Sequence, residues 1–185
     1  NALQATINKG DEVIIPAPYW VSYPDMVILA EGIPKFIATK EENEFKLTAK
    51  SLESAITEKT KWLILNSPSN PTGSCYTKRE LEELGLVLQK YKHINILSDD
   101  IYEKILYDNF KFYTLAEVFP TLKNRVLTVN GVSKAYSMTG WRIGYAAGSE
   151  EIIKAMAKIQ SQSTSNPTSI SQYAALEALS SPEGF

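Results

Sequence analysis

The sequence predicts an α/β fold in which a mostly parallel sheet lies between two layers of helices. Short apolar runs alternate with helical periodicity along the chain, which is the pattern of strand–helix–strand units. The runs are apolar throughout rather than at every second position, as expected of strands buried on both faces. The chain has 185 residues, 44% of them hydrophobic and 22% charged, which is typical of a globular protein. We therefore expect residues 1–185 to form one domain.

Runs rich in β-branched and aromatic residues predict the strands of this sheet. The predicted strands lie at residues 12–16, 35–38, 61–66, 94–98, 125–130 and 143–147. Helical patterns separate and follow these runs, and the beginning of the chain reads as the end of another amphipathic helix. The predicted helices lie at residues 19–30, 47–56, 77–91, 150–163 and 167–179.

Three of the helices have recognisable starts. Thr77 and Glu80 form a capping box, with the threonine at the N-cap and the glutamate at N3. Ser149 is the expected N-cap of the helix at 150–163. Pro167 suits the first turn of the last helix, and Asn166 is its expected cap.

Composition excludes several classes of function. The net charge is −2, so the chain lacks the excess of basic residues that is typical of a nucleic-acid-binding surface. No stretch approaches the roughly 20 apolar residues of a membrane span. Cys75 is the only cysteine and His93 the only histidine, which exclude an intrachain disulfide and a multi-histidine metal site. We assign neither residue a role and expect no metal.

Polar residues follow three of the predicted strands at the point where each strand ends. These loops are residues 66–73 (NSPSNPTG), 98–102 (SDDIY) and 130–134 (NGVSK). Because ligands of such sheets bind at the carboxyl ends of the strands, we expect the three loops to form one site.

Two residues of these loops have both an ordinary and a functional interpretation. Lys134, in a poorly charged neighbourhood, is either a surface lysine or a partly buried amine that forms a Schiff base, with Arg142 supplying nearby positive charge. Asp99 is either a helix cap or the partner of a cationic ring nitrogen. Tyr102, three residues later, is a packing residue with a solvated hydroxyl unless it lines the same site.

Together the motifs resemble the fold-type I, class I and II aminotransferases, which use pyridoxal phosphate. The matching segments are residues 70–73 (NPTG), the pair Asp99 and Tyr102, and residues 133–145 (SKAYSMTGWRIGY), with residues 16–20 (PAPYW) upstream. The third segment is especially similar to the bacterial aspartate aminotransferase branch. The resemblance spans nearly the whole chain in the order of the family.

The resemblance implies a role for each matching residue. Lys134 matches the lysine that holds pyridoxal phosphate covalently and shuttles the proton of the substrate Cα. Asp99 matches the partner of the pyridine nitrogen, which keeps the ring protonated as an electron sink. Asn70 and Tyr102 match the donors to the ring 3-oxygen.

Three further residues complete the implied site. Ser133 and Arg142 match phosphate ligands, for which the planar fork of arginine is well suited. Trp20 matches the aromatic residue stacked on the pyridine face. Trp20 and Asn70 are also the residues expected near the substrate.

The chain departs from the family pattern at two positions. Gly131 replaces a phosphate-binding serine of some relatives, so we expect that contact to be missing. Asp100 replaces a glutamate of many relatives, and we expect its side chain to point away from the ring. The resemblance also predicts cis bonds at Ala17-Pro18 and Asn70-Pro71.

The resemblance implies a cytoplasmic homodimeric enzyme that transfers an amino group from aspartate, or a related dicarboxylic or prephenate-type substrate, to 2-oxoglutarate. The chain would be the central part of the large cofactor-binding domain of a longer protein. The glycine-rich phosphate loop, the arginine that binds the α-carboxylate and the small domain would then lie outside residues 1–185. We expect this piece alone to be inactive, with no nucleic-acid or membrane partner.

Three alternatives remain at this stage. One is a β-lyase or another amino-acid aminotransferase on the same scaffold, because the residues that read the substrate lie mostly outside this chain. Another is a regulatory module that binds pyridoxal phosphate and is fused to a DNA-binding domain. The last is a structural domain without activity.

Overall fold

A six-stranded sheet forms the centre of the structure, a computed structural model that describes residues 1–181. The strands are β1 (Glu12–Ala17), β2 (Ile33–Ala38), β3 (Thr60–Asn66), β4 (Asn95–Asp99), β5 (Val126–Gly131) and β6 (Gly144–Ala147). Their order is β2-β1-β3-β4-β5-β6, and only β6 runs antiparallel to its neighbour. The predicted strands are confirmed, with ends that differ by one or two residues.

Helices cover both faces of this sheet, which confirms the predicted α/β architecture. They are α1 (Ala2–Thr6), α2 (Ser22–Leu29), α3 (Ala49–Ala55), α4 (Lys78–Lys90), α5 (Leu115–Val118), α6 (Val132–Ala135), α7 (Glu150–Gln162) and α8 (Ser169–Ser180). Helices α3, α4 and α5 pack on one face, and α1, α2 and α7 pack on the other. A membrane-spanning segment needs roughly 20 apolar residues, and none of the helices within residues 1–181 meets that requirement.

Successive side chains of the central strands enter two separate cores, one on each face of the sheet. Along β3, Leu63 and Leu65 join the core under α3 and α4, whereas Trp62 and Ile64 join the core under α1 and α2. This alternation is the two-residue period of a strand. Because both sets are buried, the centre of β3 is apolar at four successive positions, from Trp62 to Leu65, as expected of a strand covered on both faces.

The edge strands differ from that prediction. On β2, Ile33 is 50% and Phe36 is 48% exposed, and most of the residues of β6 are also exposed. Both strands have a hydrogen-bonded neighbour on one side only. The expectation of burial on both faces is therefore wrong for these two strands, because it depends on a strand's place in the sheet and not only on its composition.

Two of the three predicted helix starts are confirmed. The Thr77–Glu80 capping box is present at α4, and the Ser149 side chain accepts a hydrogen bond from the Ile152 N–H at α7. The predicted start of the last helix is wrong, since α8 begins at Ser169 with Thr168 as its N-cap. The Asn166 side chain instead donates to the Pro167 carbonyl oxygen at 2.8 Å, so it does not cap the helix.

Candidate active site

A cleft of about 370 Å³ lies at the carboxyl ends of β3, β4 and β5. All seven residues that the sequence predicted for the site line it: Trp20, Asn70, Asp99, Tyr102, Ser133, Lys134 and Arg142. Within residues 1–181, no group of three or more His, Cys, Asp or Glu side chains is placed to hold a metal ion. The three loops therefore meet at one cleft, as the strand-end argument predicted.

Asp99, the last residue of β4, turns its carboxylate into this cleft. Its Oδ2 accepts a hydrogen bond from the Tyr23 hydroxyl at 2.6 Å, and its Oδ1 accepts one from the Ile101 backbone N–H at 3.3 Å. Burial raises the pKa of Asp99 above its ordinary value, and the two hydrogen bonds oppose that rise by favouring the charged form. The carboxylate is thus fixed in orientation at both oxygens.

Asp100 lies on the opposite face of the sheet. It is 3% exposed, and its Oδ1 accepts a hydrogen bond from the Ser98 hydroxyl at 2.8 Å. Burial raises its pKa to about 7, although the hydrogen bond from Ser98 acts in the other direction. Asp100 does not line the cleft, in agreement with the expectation from the sequence.

Lys134 lies on α6, the short helix that follows β5 directly. Its side chain is exposed, so the partly buried amine considered from the sequence is not what this chain forms. The ammonium Nζ lies 5.7 Å from the centre of the Tyr102 ring, within the range of a cation–π contact. This contact joins the loop after β4 to the helix after β5 across the cleft.

Arg142 and Ser133 contribute hydrogen-bond donors to the same cleft. The Arg142 backbone is left-handed, with φ of 50°, and its Nη1 donates to the Thr139 carbonyl oxygen at 2.8 Å. The guanidinium is otherwise exposed, which leaves it accessible to an anion.

Gly131 is buried at the end of β5. A Cβ at this position would lie 3.1 Å from the Ile143 carbonyl oxygen and 3.2 Å from Gly144 Cα. These distances are shorter than ordinary van der Waals contacts, so a side chain here would push β6 away by a few tenths of an ångström. The close approach of β5 and β6 is consistent with glycine at this position.

Asn66, at the end of β3, ties two of the loops together. Its Nδ2 donates to the Asp99 carbonyl oxygen at 2.9 Å, and its Oδ1 accepts a hydrogen bond from the Asn70 backbone N–H at 2.8 Å. The peptide bonds Ala17-Pro18 and Asn70-Pro71 are cis, as predicted, and so is Ser67-Pro68. One side-chain amide therefore sets the relative position of the segments that carry Asn70 and Asp99.

Trp20, just before α2, and Tyr23, in its first turn, form one side of the cleft. Their rings meet edge to face, with centroids 5.4 Å apart and an interplanar angle of 89°. Tyr23 is 4% exposed, whereas Trp20 is 41% exposed. Tyr23 therefore supports the accessible indole from beneath.

The sequence analysis did not assign roles to Tyr23 and Asn66. Tyr23 lies four residues before the buried Val27 on α2, which is the pattern of a core residue, and its partner Asp99 is 76 positions away. Asn66 is the first residue of the polar segment 66–73. Its position at the end of a strand was the sequence signal that could have marked it as a residue of the site.

Comparisons with known proteins give one consistent result. All of residues 1–185 match the family model described as aminotransferase class I and II. The sequence is 65% identical to the probable aspartate/prephenate aminotransferase of Rickettsia conorii, covering 100% of this chain and 46% of that protein. It is 64% identical to the aspartate/prephenate aminotransferase of Cereibacter sphaeroides, with the same coverage.

Solved structures give the same picture. The crystal structure of aspartate aminotransferase from Rhizobium meliloti matches with a TM-score of 0.98 and 56% identity, covering 100% of this chain and 46% of that one. An aromatic aminotransferase from Pyrococcus horikoshii matches with a TM-score of 0.93 and 42% identity, covering 97% of this chain and 48% of that one. The chain spans about half the length of the curated relatives it matches.

Proposed function

The chain belongs to the class I and II aminotransferase family, and on that premise we propose that the full-length protein is a pyridoxal phosphate-dependent aspartate aminotransferase. It moves the amino group of aspartate, or of a related dicarboxylic or prephenate-type substrate, to 2-oxoglutarate. The names of the relatives from Rickettsia conorii and Cereibacter sphaeroides support this choice of substrate. The single observation that carries the proposal is that Asp99 and Lys134 line one cleft.

The side chains of the cleft fit pyridoxal phosphate on chemical grounds. The Asp99 carboxylate accepts hydrogen bonds from the Tyr23 hydroxyl and the Ile101 N–H, and both of these donors are neutral. A buried carboxylate is stabilised by a positive partner, and a protonated ring nitrogen is one. Arg142 and Ser133 suit the phosphate group, since guanidinium and hydroxyl donors both bind phosphate oxygens.

The remaining residues of the cleft bind the faces and edges of the ring in this proposal. Asn70 and Tyr102 would supply hydrogen bonds to the ring 3-oxygen, and Trp20 would cover the ring face. Trp20 and Asn70 also contact the substrate. The support for these roles is that all of these side chains line the same cleft as Asp99 and Lys134.

Bound pyridoxal phosphate supplies an electron sink for the negative charge that develops at the substrate Cα. Lys134 is the residue that would hold the cofactor, and its free amine would be placed to take the proton of the substrate Cα as a general base. Asp99 keeps a positive charge at the ring nitrogen through its own negative charge.

We further propose that the full-length protein is a cytoplasmic homodimer. Exposed apolar side chains on two helices support a covered surface in the assembled protein, since Leu29 on α2 is 75% exposed and Ile170 and Tyr173 on α8 are 70% and 75% exposed. A large exposed apolar patch usually marks an interaction surface. An active full-length protein that sediments as a monomer contradicts this part of the proposal.

A second candidate is an aminotransferase for aromatic amino acids, which the similarity to the Pyrococcus horikoshii enzyme favours. Steady-state kinetics of the full-length protein against aspartate, tyrosine and phenylalanine, with 2-oxoglutarate as acceptor, separates the two. We expect the highest kcat/KM with aspartate. A preference for tyrosine or phenylalanine supports the second candidate, and no transfer from any of them contradicts both.

A further inference from the structure

Tyr23 contacts two of the residues that the proposed function places against the cofactor. Its hydroxyl lies 2.6 Å from Asp99 Oδ2, and its ring packs edge to face against Trp20 at 5.4 Å. Asp99 comes from β4 and Trp20 from the segment before α2. Tyr23 is therefore the side chain through which these two parts of the cleft are held in register.

The hydroxyl of Tyr23 acts only as a donor to Asp99. Burial raises the pKa of Tyr23 far above its ordinary value, and the negative charge of Asp99 adds to that rise. The phenol consequently stays protonated wherever the protein is folded. An ionised carboxylate accepts this hydrogen bond more strongly than a neutral carboxyl group, because charge-assisted hydrogen bonds are the stronger ones.

We propose that Tyr23 is a positioning residue of the active site, whose hydroxyl holds the Asp99 carboxylate ionised and oriented towards the cofactor ring and whose aromatic ring supports Trp20. This inference rests on the proposed function, because it assigns Asp99 to the ring nitrogen. The hydrogen bond uses Oδ2, while Oδ1 is held by the Ile101 N–H. The remaining lone pairs of the carboxylate are left for a ligand in the cleft.

Several titratable groups face Asp99 or lie close to it, and the test has to account for them. Tyr23 approaches from α2, Tyr102 lies in the turn after β4, and Lys134 and Arg142 line the cleft from the segment after β5. Asp100 lies on the other face of the sheet. Removing only the Tyr23 hydroxyl leaves each of these groups in place.

Tyr23→Phe removes that hydroxyl and keeps the ring that packs on Trp20. Tyr76→Phe is the matched control, because Tyr76 is also buried and its hydroxyl accepts a hydrogen bond from the Leu47 N–H at 2.8 Å, outside the cleft. The probe is pyridoxamine phosphate, which has the ring and the phosphate but no aldehyde for Lys134. Its dissociation constant is measured for the full-length protein and both variants.

A second readout needs no cofactor. Carboxyl ¹³C resonances of aspartate are titrated by NMR in the cofactor-free protein, and the resonance of Asp99 is assigned by its loss in Asp99→Asn. We expect Tyr23→Phe to raise the pH at which Asp99 titrates. We also expect it to weaken pyridoxamine phosphate binding by about tenfold or more, which is the effect of losing a hydrogen bond to a charged group. Tyr76→Phe should change neither. In the Asp99→Asn background, Tyr23→Phe should have little further effect on binding.

Each outcome decides the inference. If the wild type binds the probe and Tyr23→Phe matches it in both readouts, the inference is wrong and the proposed function stands. If the wild type does not bind the probe, the proposed function fails and the inference fails with it.

Should Tyr23→Phe not fold, the Tyr23 hydroxyl proton of the unaltered protein provides the test. We expect slow exchange with water and a shift when Asp99 ionises, and rapid exchange overturns the inference.

Discussion

Asp99 and Asp100 are neighbours in sequence, yet their carboxylates lie on opposite faces of the sheet. Asp99 lines the cleft and accepts a hydrogen bond from Tyr23, whereas Asp100 is buried beside Ser98. The alternation of side chains along a strand produces this separation. Ile96 belongs to the core under α4, and Leu97 packs against the core under α2. Only one of the two carboxylates can therefore reach a ligand in the cleft.

The first prediction concerns catalysis by these two residues in the full-length protein. Asp99→Asn should lower kcat/KM by about a hundredfold or more, because a preorganised charge next to the reacting group is lost. Asp100→Asn should lower it by less than about tenfold, since this residue is on the other face of the sheet. Steady-state kinetics with aspartate gives both values. Comparable losses in the two variants count against the assignment of Asp99 to the ring.

The second prediction is a pH dependence of stability that originates from Asp100. Its pKa is about 7 in the folded protein and about 3.9 in an unfolded chain. Between these pH values only the folded state binds the proton, so the free energy of unfolding falls as the pH rises from about 4 to about 7. The resulting decrease in the free energy of unfolding amounts to roughly 4 kcal/mol, and Asp100→Asn should remove this part of the pH dependence.

Urea unfolding of the cofactor-free wild type and Asp100→Asn at several pH values checks this. Asp100→Asn should gain stability relative to the wild type as the pH rises across that range. Asp99, whose pKa is also raised by burial, is kept in both proteins, and its negative charge is one of the causes that raise the pKa of Asp100. The comparison therefore reports Asp100 together with its coupling to Asp99. A difference between the two proteins that does not change with pH would show that Asp100 titrates normally.

The third prediction tests the link that Asn66 makes between β3, β4 and the loop of Asn70. Asn66→Ala removes the hydrogen bonds to the Asp99 carbonyl oxygen and the Asn70 N–H, and it should lower the free energy of unfolding by about 2 kcal/mol. It should also weaken binding of pyridoxal phosphate, because Asn70 and Asp99 lose their common support.

Asn95→Ala is the control for this substitution, because Asn95 lies at the opposite end of β4 from the cleft. Denaturant unfolding and a cofactor-binding titration are measured for both variants. If Asn66→Ala binds the cofactor as tightly as Asn95→Ala does, Asn66 only stabilises the fold.

Features that depend on neighbouring residues in the chain were predictable from the sequence. The capping box of Thr77 and Glu80 uses atoms three residues apart, and the strands are marked by their own composition. The gathering of Asn70, Asp99 and Lys134 at one cleft followed from the rule that ligands bind at the carboxyl ends of such strands.

Features that depend on the assembled fold were not predictable in this way. The exposure of Ile33 and Phe36 follows from the place of β2 at the edge of the sheet. The hydrogen bond of Tyr23 to Asp99 joins residues 76 positions apart, and nothing in the local pattern of α2 distinguishes Tyr23 from a core residue. Before α8, the side-chain amides of Asn166 and Gln172 both donate to the Pro167 carbonyl oxygen, a contact that the local sequence pattern did not indicate.

Covalent trapping of pyridoxal phosphate on Lys134 tests the central claim most directly. The full-length protein is loaded with the cofactor, reduced with sodium borohydride and digested, and the modified peptide is identified by mass spectrometry. The account predicts the label on Lys134, and it predicts that Lys134→Ala loses both the label and the visible absorption band of the cofactor, with turnover reduced by orders of magnitude. A label on a different lysine, or a Lys134→Ala protein that keeps its band and its turnover, would contradict the account.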